Sequence, residues 1–399
     1  MISAQVVLGA AKERGFDFFA GVPCSYLTPL INGVIGGGAT DYVGATNEGD
    51  AVAIAAGAWL GGRETVVMFQ NSGLGNAINP LTSLNWPFRI PTLLVVTWRG
   101  QPGLQDEPQH ELMGAKLKDL LRDCGLEHDD FPTDAARLAD AFDRARETMG
   151  ARSLPYALVL RKGTIADESL NEPALPPRPA GRHLDLRRGS DRPTRCAALE
   201  RFLASAPETA AVIATTGQCG RELFTLADRS QHLYQVGSMG CASAVALGVA
   251  LATGRQVAVL DGDGAALMRL GNLATIGARA PAGLVHIVLD NGVHDSTGGQ
   301  ATVSPVVDFA RLALACGYAT GTACDHLAGF EQALRAAFGT RGPHLIHLRI
   351  RPGSIANLGR PTIKPPEVAR RFRAFLASPP SADLCRPSSR SVHFEGAQA

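Results

Sequence analysis

The sequence predicts an α/β protein built from two doubly wound parallel-sheet domains. Short, nearly continuous apolar runs alternate with helical patterns along the chain, as expected for parallel strands that are buried on both faces. A segment rich in Pro and Arg interrupts this alternation near the middle. With 399 residues, of which 45% are hydrophobic and 19% charged, the chain is long enough for two domains that each have a core.

Eight apolar runs of strand length carry this prediction. They lie at residues 16–21, 65–70, 92–98, 156–161, 210–215, 256–260, 284–289 and 344–350. We therefore expect one domain at residues 1–170, a linker at 171–195 and a second domain at 196–362. Residues 363–399 are expected to form a C-terminal helix and a disordered tail.

The charge balance excludes whole classes of partner. The 38 basic and 37 acidic residues give a net charge of +1, which provides no field to attract nucleic acid or a membrane surface. The eight cysteines show no C-x-x-C spacing, the start has no basic signal-peptide region, and no apolar run is long enough to span a bilayer. We expect a cytoplasmic protein whose anionic ligands are held by a local site.

The strongest chemical signal is a Gly-Asp-Gly turn after the strand at 256–260. In Gly262-Asp263-Gly264, backbone N–H groups and a carboxylate meet at a helix start, which suits a phosphate bridged by a divalent cation. An Asp that only caps the helix is the alternative. Asn291 follows the next strand, and adjacent parallel strands end at the same sheet edge, so Asp263 and Asn291 can reach one cation.

This pair of motifs resembles the signature of the thiamine-diphosphate enzymes, in which Gly-Asp-Gly is followed after the next strand by Asn-Asn. Asp290 stands here in place of the first Asn. The resemblance implies that thiamine diphosphate and Mg²⁺ are the cofactors, with Asp263 and Asn291 binding the metal by their side chains and Val293 by its carbonyl. It covers residues 2–362 and implies that the central third domain of many members is absent.

The resemblance also implies further cofactor contacts in the second domain. The loop before residue 241 offers Met239 as an apolar wedge under the thiazolium and the Gly237 carbonyl as the acceptor for the pyrimidine amino group. Thr216 and the two glycines of the Gly-Asp-Gly turn would contact the diphosphate. Met239 as core filler and Thr216 as a helix cap are the alternatives.

A thiamine enzyme also needs a carboxylate at the aminopyrimidine, and the resemblance assigns that role to Glu48 in the first domain. A first-turn Glu that complements the helix dipole is the alternative, and Asp50 is a rival for the same role. The Gly-rich turn at 70–79 resembles a loop of the same domain, although such turns also occur as plain structural elements.

The reaction follows from segments at 21–25, 46–50, 106–110, 294–300 and 358–362, which are similar to the two-domain decarboxylases of this family. They imply non-oxidative decarboxylation of 3-phosphonopyruvate to phosphonoacetaldehyde and CO₂, a step in phosphonate biosynthesis. Sulfopyruvate is the alternative substrate, since both compounds carry a tetrahedral anion beside a keto acid.

A phosphonate is held by cations and hydroxyl groups. The candidates are Arg99, Ser25, Ser296 and Thr297, with Arg360 as a further cation. For the protonation step the candidates are His110 and His294, since imidazole delivers a proton near neutral pH. The alternative role for either histidine is to orient a carboxylate such as Asp106 or Asp295.

The pyrimidine residues lie in the first domain and the diphosphate residues in the second. The resemblance implies a homodimer or larger homo-oligomer with the cofactor site between subunits. Two other classes of protein are the alternatives. A nucleotide-binding oxidoreductase would need G-x-G-x-x-G, which is absent after the relevant strand, and a non-catalytic scaffold or regulatory subunit has no need of Glu48 together with Asp263 and Asn291.

Overall fold

The fold consists of two parallel sheets, each flanked by helices, which confirms the predicted fold class. The computed structural model describes residues 1–37, 41–172, 174, 178–189 and 191–378. The first sheet has the order β2-β1-β3-β4-β6-β5 and the second the order β7-β14-β15-β11-β10-β8-β9. A two-stranded hairpin, β12–β13, lies beside the second sheet's strand ends.

In the described residues, the first unit comprises six strands and seven α-helices. The strands are β1 (Phe16–Gly21), β2 (Asp41–Gly44), β3 (Glu64–Gln70), β4 (Leu93–Thr97), β5 (Glu127–Asp130) and β6 (Tyr156–Leu160). The helices are α1 (Ala4–Glu13), α2 (Thr28–Gly36), α3 (Glu48–Leu60), α4 (Leu74–Pro80), α5 (Trp86–Phe88), α6 (Glu111–Asp123) and α7 (Leu138–Arg152). All three tryptophans of the chain, Trp59, Trp86 and Trp98, lie in this unit.

The second unit, as far as the structure describes it, comprises nine strands and eight α-helices. The strands are β7 (Arg182–Asp185), β8 (Ala211–Ala214), β9 (His232–Tyr234), β10 (Val257–Gly262), β11 (Leu284–Asp290), β12 (Val293–His294), β13 (Gln300–Ala301), β14 (Thr320–Cys324) and β15 (His344–Arg349). The helices are α8 (Arg195–Ser205), α9 (Gln218–Leu226), α10 (Ala242–Thr253), α11 (Asp263–Met268), α12 (Gly271–Arg279), α13 (Phe309–Ala315), α14 (Leu327–Gly339) and α15 (Pro365–Ala377).

The segment predicted as a linker contributes a strand to the second sheet. Residues 182–185 form β7, which pairs in parallel with β14 at the sheet edge. The run is short and only half buried, so its apolar content does not distinguish it from the surrounding Pro- and Arg-rich sequence. Helix α15 lies within the predicted C-terminal segment, and the predicted tail at 379–399 lies outside the described residues.

One reversal of winding direction in each sheet locates a crevice. In the first sheet β1 lies between β2 and β3, and in the second β8 lies between β9 and β10. The loops that follow the two strands flanking a reversal run to opposite faces, which opens a cleft at their carboxyl ends. Ligand sites are therefore expected after β1 and β3 and after β8 and β10.

Two helices rich in Ala and Gly, α3 and α10, hold the units together. Nearly every residue of both helices is buried. A Cβ atom on Gly57 would overlap the carbonyl group of Val245, and one on Gly248 would overlap the carbonyl oxygen of Ile54. The backbones can approach this closely only because glycine has no side chain. No helix in the described ranges is long and apolar enough to cross a membrane.

Candidate active site

A cleft of about 170 Å³ lies at the carboxyl ends of β8, β10 and β11, where the second sheet reverses its winding. The loop after β8 contributes Thr215, Thr216 and Gly217, and the turn after β10 contributes Gly262, Asp263 and Gly264. The remaining lining comprises Arg195, Gln218, Cys219, Met239, Ala265, Leu289, Asn291, Val293, His294, Asp295 and Ser296. The structure thus brings most of the predicted cofactor residues into one cleft.

Asp263 is the buried carboxylate of this cleft, with 2% of its surface exposed. The Thr302 hydroxyl donates a hydrogen bond to its Oδ2 at 2.5 Å. Burial raises the pKa of the Asp263 carboxyl, and the hydrogen bond from Thr302 opposes that shift only in part. A cation bound in front of Asp263 would offset the cost of burying its charge.

Asp290, which replaces an Asn of the family signature, braces the turn rather than facing the cleft. Its carboxylate accepts hydrogen bonds from the Ser304 hydroxyl at 2.7 Å and the Gly292 N–H at 3.0 Å, and lies 2.8 Å from Nε2 of His347. Burial disfavours the charged carboxylate, but the hydrogen bonds from His347 and Ser304 prevail and lower its pKa. The Asp290 carboxylate is therefore held in its charged form by His347 on the neighbouring strand β15.

Asn291 is oriented by the residues that follow it. Its Nδ2 donates to Asp295 Oδ2 at 2.7 Å, and its Oδ1 accepts from the Val293 N–H at 3.1 Å. Arg195 in turn donates to the same Asp295 oxygen at 2.5 Å. Arg195 was assigned to the linker by sequence, so its place in the cleft was missed.

His294 and Met239 both lie against Gly264, the second glycine of the Gly-Asp-Gly turn. A Cβ atom on Gly264 would lie 2.7 Å from His294 Cε1 and 3.2 Å from Met239 Cε. Any side chain at this position would displace both groups. Ser296 is exposed at the rim, while the Thr297 hydroxyl donates to Gln300 Oε1 at 2.9 Å, within the β12–β13 hairpin.

The residues present fit a metal-bound diphosphate. The Thr215 hydroxyl is buried and has no hydrogen-bond partner among the described residues, and a Cβ atom on Gly262 would meet open space. Oxygen donors such as those of Asp263 and Asn291 suit Mg²⁺. In the described part of the chain no three His, Cys, Asp or Glu side chains gather as metal ligands, so a cation here would need ligands such as phosphate oxygens and water.

Glu48 opens helix α3 in the first unit, beside the predicted Gly-rich turn. The Asn47 side chain caps the helix by accepting from the Gly49 N–H at 2.8 Å. Asn76 Nδ2 donates to Glu48 Oε2 at 2.8 Å, and Gly73 packs directly against the carboxylate. Two motifs that are far apart in sequence therefore form one site.

Asp50, the rival carboxylate, is turned toward the second unit. It is 1% exposed, and its Oδ1 lies 3.6 Å from a guanidinium nitrogen of Arg269. Burial raises the pKa of Asp50 to about 6, and the charge of Arg269 opposes the shift. Its position against Arg269 favours Glu48 as the carboxylate that meets a ligand.

A second cleft, of about 760 Å³, contains Ser25 and Arg99. Arg99 donates to both carboxylate oxygens of Asp106, at 2.8 and 2.5 Å, and to the Ser25 hydroxyl at 3.0 Å. The guanidinium holds the pKa of Asp106 well below its usual range. The charge of Arg99 is thus balanced by Asp106 within the protein. Lys162 lines the same cleft, and sequence reasoning missed it.

The other two predicted site residues, His110 and Gly237, line neither of these clefts. His110 is 6% exposed and its Nδ1 atom has no hydrogen-bond partner in the described ranges. A Cβ atom on Gly237 would lie 2.8 Å from Cβ of Ser83 in the first unit. The Asp263 cleft is lined by second-unit residues and the Ser25 cleft by first-unit residues.

Comparison with known proteins agrees with this geometry. Residues 215–348 match the model of the thiamine pyrophosphate enzyme C-terminal TPP binding domain. A solved benzoylformate decarboxylase from Polynucleobacter necessarius shares the fold, with a TM-score of 0.71 over 88% of this chain and 99% of that one at 12% identity.

Full-length relatives are much more similar. The chain is 53% identical over 403 residues to a phosphonopyruvate decarboxylase of Streptomyces viridochromogenes, covering 100% of both chains. It is 54% identical to that of Streptomyces hygroscopicus over 98% of both chains, and 31% identical to a sulfopyruvate decarboxylase of Methanosarcina acetivorans over 93% of this chain and 97% of that one. The chain therefore belongs to the phosphonopyruvate decarboxylase family of thiamine-diphosphate-dependent enzymes.

Proposed function

We propose that this protein decarboxylates 3-phosphonopyruvate to phosphonoacetaldehyde and CO₂, with thiamine diphosphate and Mg²⁺ as cofactors. The observation that carries the proposal is that Asp263 and Asn291, at the ends of neighbouring strands, line one cleft. The full-length relatives of this chain are named for this reaction. Its place would be phosphonate biosynthesis in the cytoplasm.

The cofactor would be held from both units. Asp263, Asn291 and the Val293 carbonyl would bind Mg²⁺, and Thr216, Gly262 and Gly264 would contact the diphosphate. Met239 and the Gly237 carbonyl would hold the thiazolium and the pyrimidine, and Glu48 would hydrogen-bond the pyrimidine ring. When bound, the cofactor supplies the electron sink for loss of the carboxylate.

The protein's own residues would bind the substrate and move a proton. Ser25, Ser296 and Thr297 offer hydroxyl groups to the phosphonate, and Arg99 positions Ser25 by donating to its oxygen. His294 lies beside Met239 over Gly264, so its imidazole is placed to deliver the proton that replaces CO₂. His110 remains a second candidate for that step.

We further propose that two copies of the chain complete the site. Large apolar side chains lie exposed close in sequence to Met239, Asp263 and Thr302: Val236, Met268, Val303 and Val306 are 51%, 59%, 65% and 89% exposed. Apolar patches of this kind favour a protein partner. A second copy that covers them could bring its Glu48 to the cleft, and a homodimer would then have two complete sites.

Product formation from three keto acids tests the function. Purified protein is supplied with phosphonopyruvate, sulfopyruvate or pyruvate, each with and without Mg²⁺ and thiamine diphosphate, and CO₂ and aldehyde are measured. We expect turnover of phosphonopyruvate that depends on both cofactors. Preference for sulfopyruvate would reassign the substrate, equal rates on pyruvate would exclude an anion pocket, and no turnover at all would indicate a non-catalytic subunit.

A further inference from the structure

A buried ion-pair network lies along one wall of the Asp263 cleft and is centred on Arg195. This residue is the first of α8 and is 6% exposed. Its guanidinium donates to Asp295 Oδ2 at 2.5 Å, to Glu222 Oε1 at 3.3 Å and to Gln218 Oε1 at 3.0 Å. One cation thus lies between two carboxylates, whose side chains are 13% and 0% exposed.

The two carboxylates also hold the backbone segment that follows β15. Asp295 accepts from the Gly353 N–H at 3.1 Å, and Glu222 accepts from the Ile355 N–H at 3.2 Å. Next to Glu222, Arg221 donates to the carbonyls of Leu358 and Gly359 at 2.5 and 2.7 Å. Residues 353–359 are therefore fastened to helix α9 and to the loop after β11.

Asp295 connects this network to Asn291. A carboxylate accepts hydrogen bonds but donates none, so it must face the NH₂ end of the Asn291 amide, as it does at 2.7 Å. The carbonyl oxygen of Asn291 is then turned away from Asp295, toward the Val293 N–H. The orientation of the only side-chain oxygen that Asn291 can offer a metal thus depends on Asp295, and Asp295 is held by Arg195.

We propose that Arg195 is a positioning residue for the metal site: it holds Asp295, which orients the Asn291 amide, and together with Asp295 and Glu222 it fixes the backbone at Gly353 and Ile355. Arg195 is not a receptor for a substrate anion, because Asp295 and Glu222 already balance its charge. The inference rests on the proposed Mg²⁺ and thiamine diphosphate site. Outer residues that orient a metal ligand typically change metal affinity by about 10- to 100-fold when they are replaced.

The test is a variant that removes one charge of each sign. Arg195→Met alone leaves two buried carboxylates without their cation and would put folding at risk, so it is combined with Glu222→Gln. Glu222→Gln alone is the first control. Arg201→Met is the second, since Arg201 lies on the same helix and forms a partly exposed ion pair with Glu331. Arg195→Lys tests whether charge without the two-pronged donor is sufficient.

Two measurements are made on the purified full chain. Calorimetric titration gives the Kd for thiamine diphosphate at fixed Mg²⁺, and we expect it to rise about tenfold or more in the double variant, less in Arg195→Lys and not at all in Arg201→Met. Hydrogen exchange of a peptide that covers residues 351–358 is expected to accelerate in the double variant, while α10 stays protected.

The outcomes separate this inference from the function on which it rests. If the unaltered protein does not bind thiamine diphosphate with Mg²⁺, the proposed function fails. If it does, and the double variant binds equally well while its thermal stability falls, Arg195 has only a structural role and the inference is overturned. A Kd that rises as much in Glu222→Gln alone would also overturn it, because the effect would not need Arg195.

Discussion

Glu48 and Asp50 are two residues apart in the first turn of α3, yet they have different surroundings. A separation of two residues corresponds to roughly 200° around a helix, so the side chains point in opposite directions. Glu48 faces Asn76 and Gly73 in the first unit, whereas Asp50 faces Arg269 in the second. Helical geometry alone therefore turns them toward different parts of the molecule.

We expect Glu48→Gln to lower kcat by about 10²- to 10⁴-fold, the usual contribution of a group that handles a proton. Gln keeps the shape and the hydrogen bond with Asn76 but cannot carry the charge. Steady-state decarboxylation at saturating cofactor measures this. Glu111→Gln, a first-turn replacement in the exposed start of α6, should leave kcat unchanged; unchanged kcat in Glu48→Gln would remove Glu48 from the mechanism.

Asp50 makes stability depend on pH. Its pKa of about 6 in the folded protein exceeds the ordinary value of 3.8 for an Asp side chain. The folded state therefore favours the protonated form, and stability is lost as the pH rises through about 4 to 6. A shift of this size corresponds to roughly 3 kcal/mol at most.

Asp50→Asn removes that dependence, while Arg269 keeps the side chain of Asn47 as a partner. We expect a higher Tm than the unaltered protein at pH 8 and the same Tm near pH 4. Thermal unfolding across this range measures the difference, with exposed Asp119→Asn as the control. A lower Tm at pH 8 would mean that the ion pair with Arg269 outweighs the burial cost.

The site residues that belong to a sequence motif could be predicted. Those that lie outside any motif and come to the site through the tertiary fold could not. Asp263 and Asn291 follow adjacent strands, so parallel-sheet geometry brings them together. Thr302 lies in irregular chain beyond the hairpin, and Arg195 comes from the opposite end of the unit. Nothing in their local sequence marks them, because their role depends on tertiary contacts alone.

At the scale of elements, the eight predicted strands are all present, with bounds that agree within one or two residues. Most of the strands that the sequence did not predict are edge strands. The strands β2, β5, β7 and β9 lie at the four sheet edges. An edge strand is short and often half exposed, so it lacks a continuous apolar run. Strand β14 is missed for another reason: its sequence, TGTAC, is buried but made of small residues.

The contact between α3 and α10 gives a test at this scale. Gly57→Ala should destabilise the protein by several kcal/mol, since the added Cβ atom would overlap the Val245 carbonyl and force the helices apart. Gly9→Ala in α1 is the matched control: a Cβ atom there meets no atom within 4 Å, and we expect stabilisation of up to about 1 kcal/mol. Thermal unfolding of both variants measures this; equal Tm values would show that the helices can move apart freely.

At the scale of the whole molecule, the predicted site residues divide between the two units. Glu48 and Ser25 belong to the first sheet's loops and Asp263 and Asn291 to the second's. The proposed dimer would join the Glu48 of one copy to the Asp263 of another. The sequence could predict this division but not the contacts across it, because those depend on surfaces and not on motifs.

Mixing two inactive variants tests the shared site. In a dimer of one Glu48→Gln chain and one Asp263→Asn chain, one site would carry both changes and the other neither. Random exchange makes half of the dimers mixed, so activity should recover to about a quarter of the unaltered level. Mixing each variant with itself is the control. Failure to recover, after exchange of subunits is verified, would place both residues of a site on one chain.

The position of the three tryptophans in the first unit makes intrinsic emission a label for one half of the molecule. Emission followed during chemical denaturation reports the melting of that half and the loss of its contact with Arg373, which lies over the Trp59 ring, whereas far-ultraviolet circular dichroism reports both halves. A lag between the two curves would show that the halves unfold in separate steps. The protein thus carries, without any added dye, the means of measuring how cooperatively its two parts unfold.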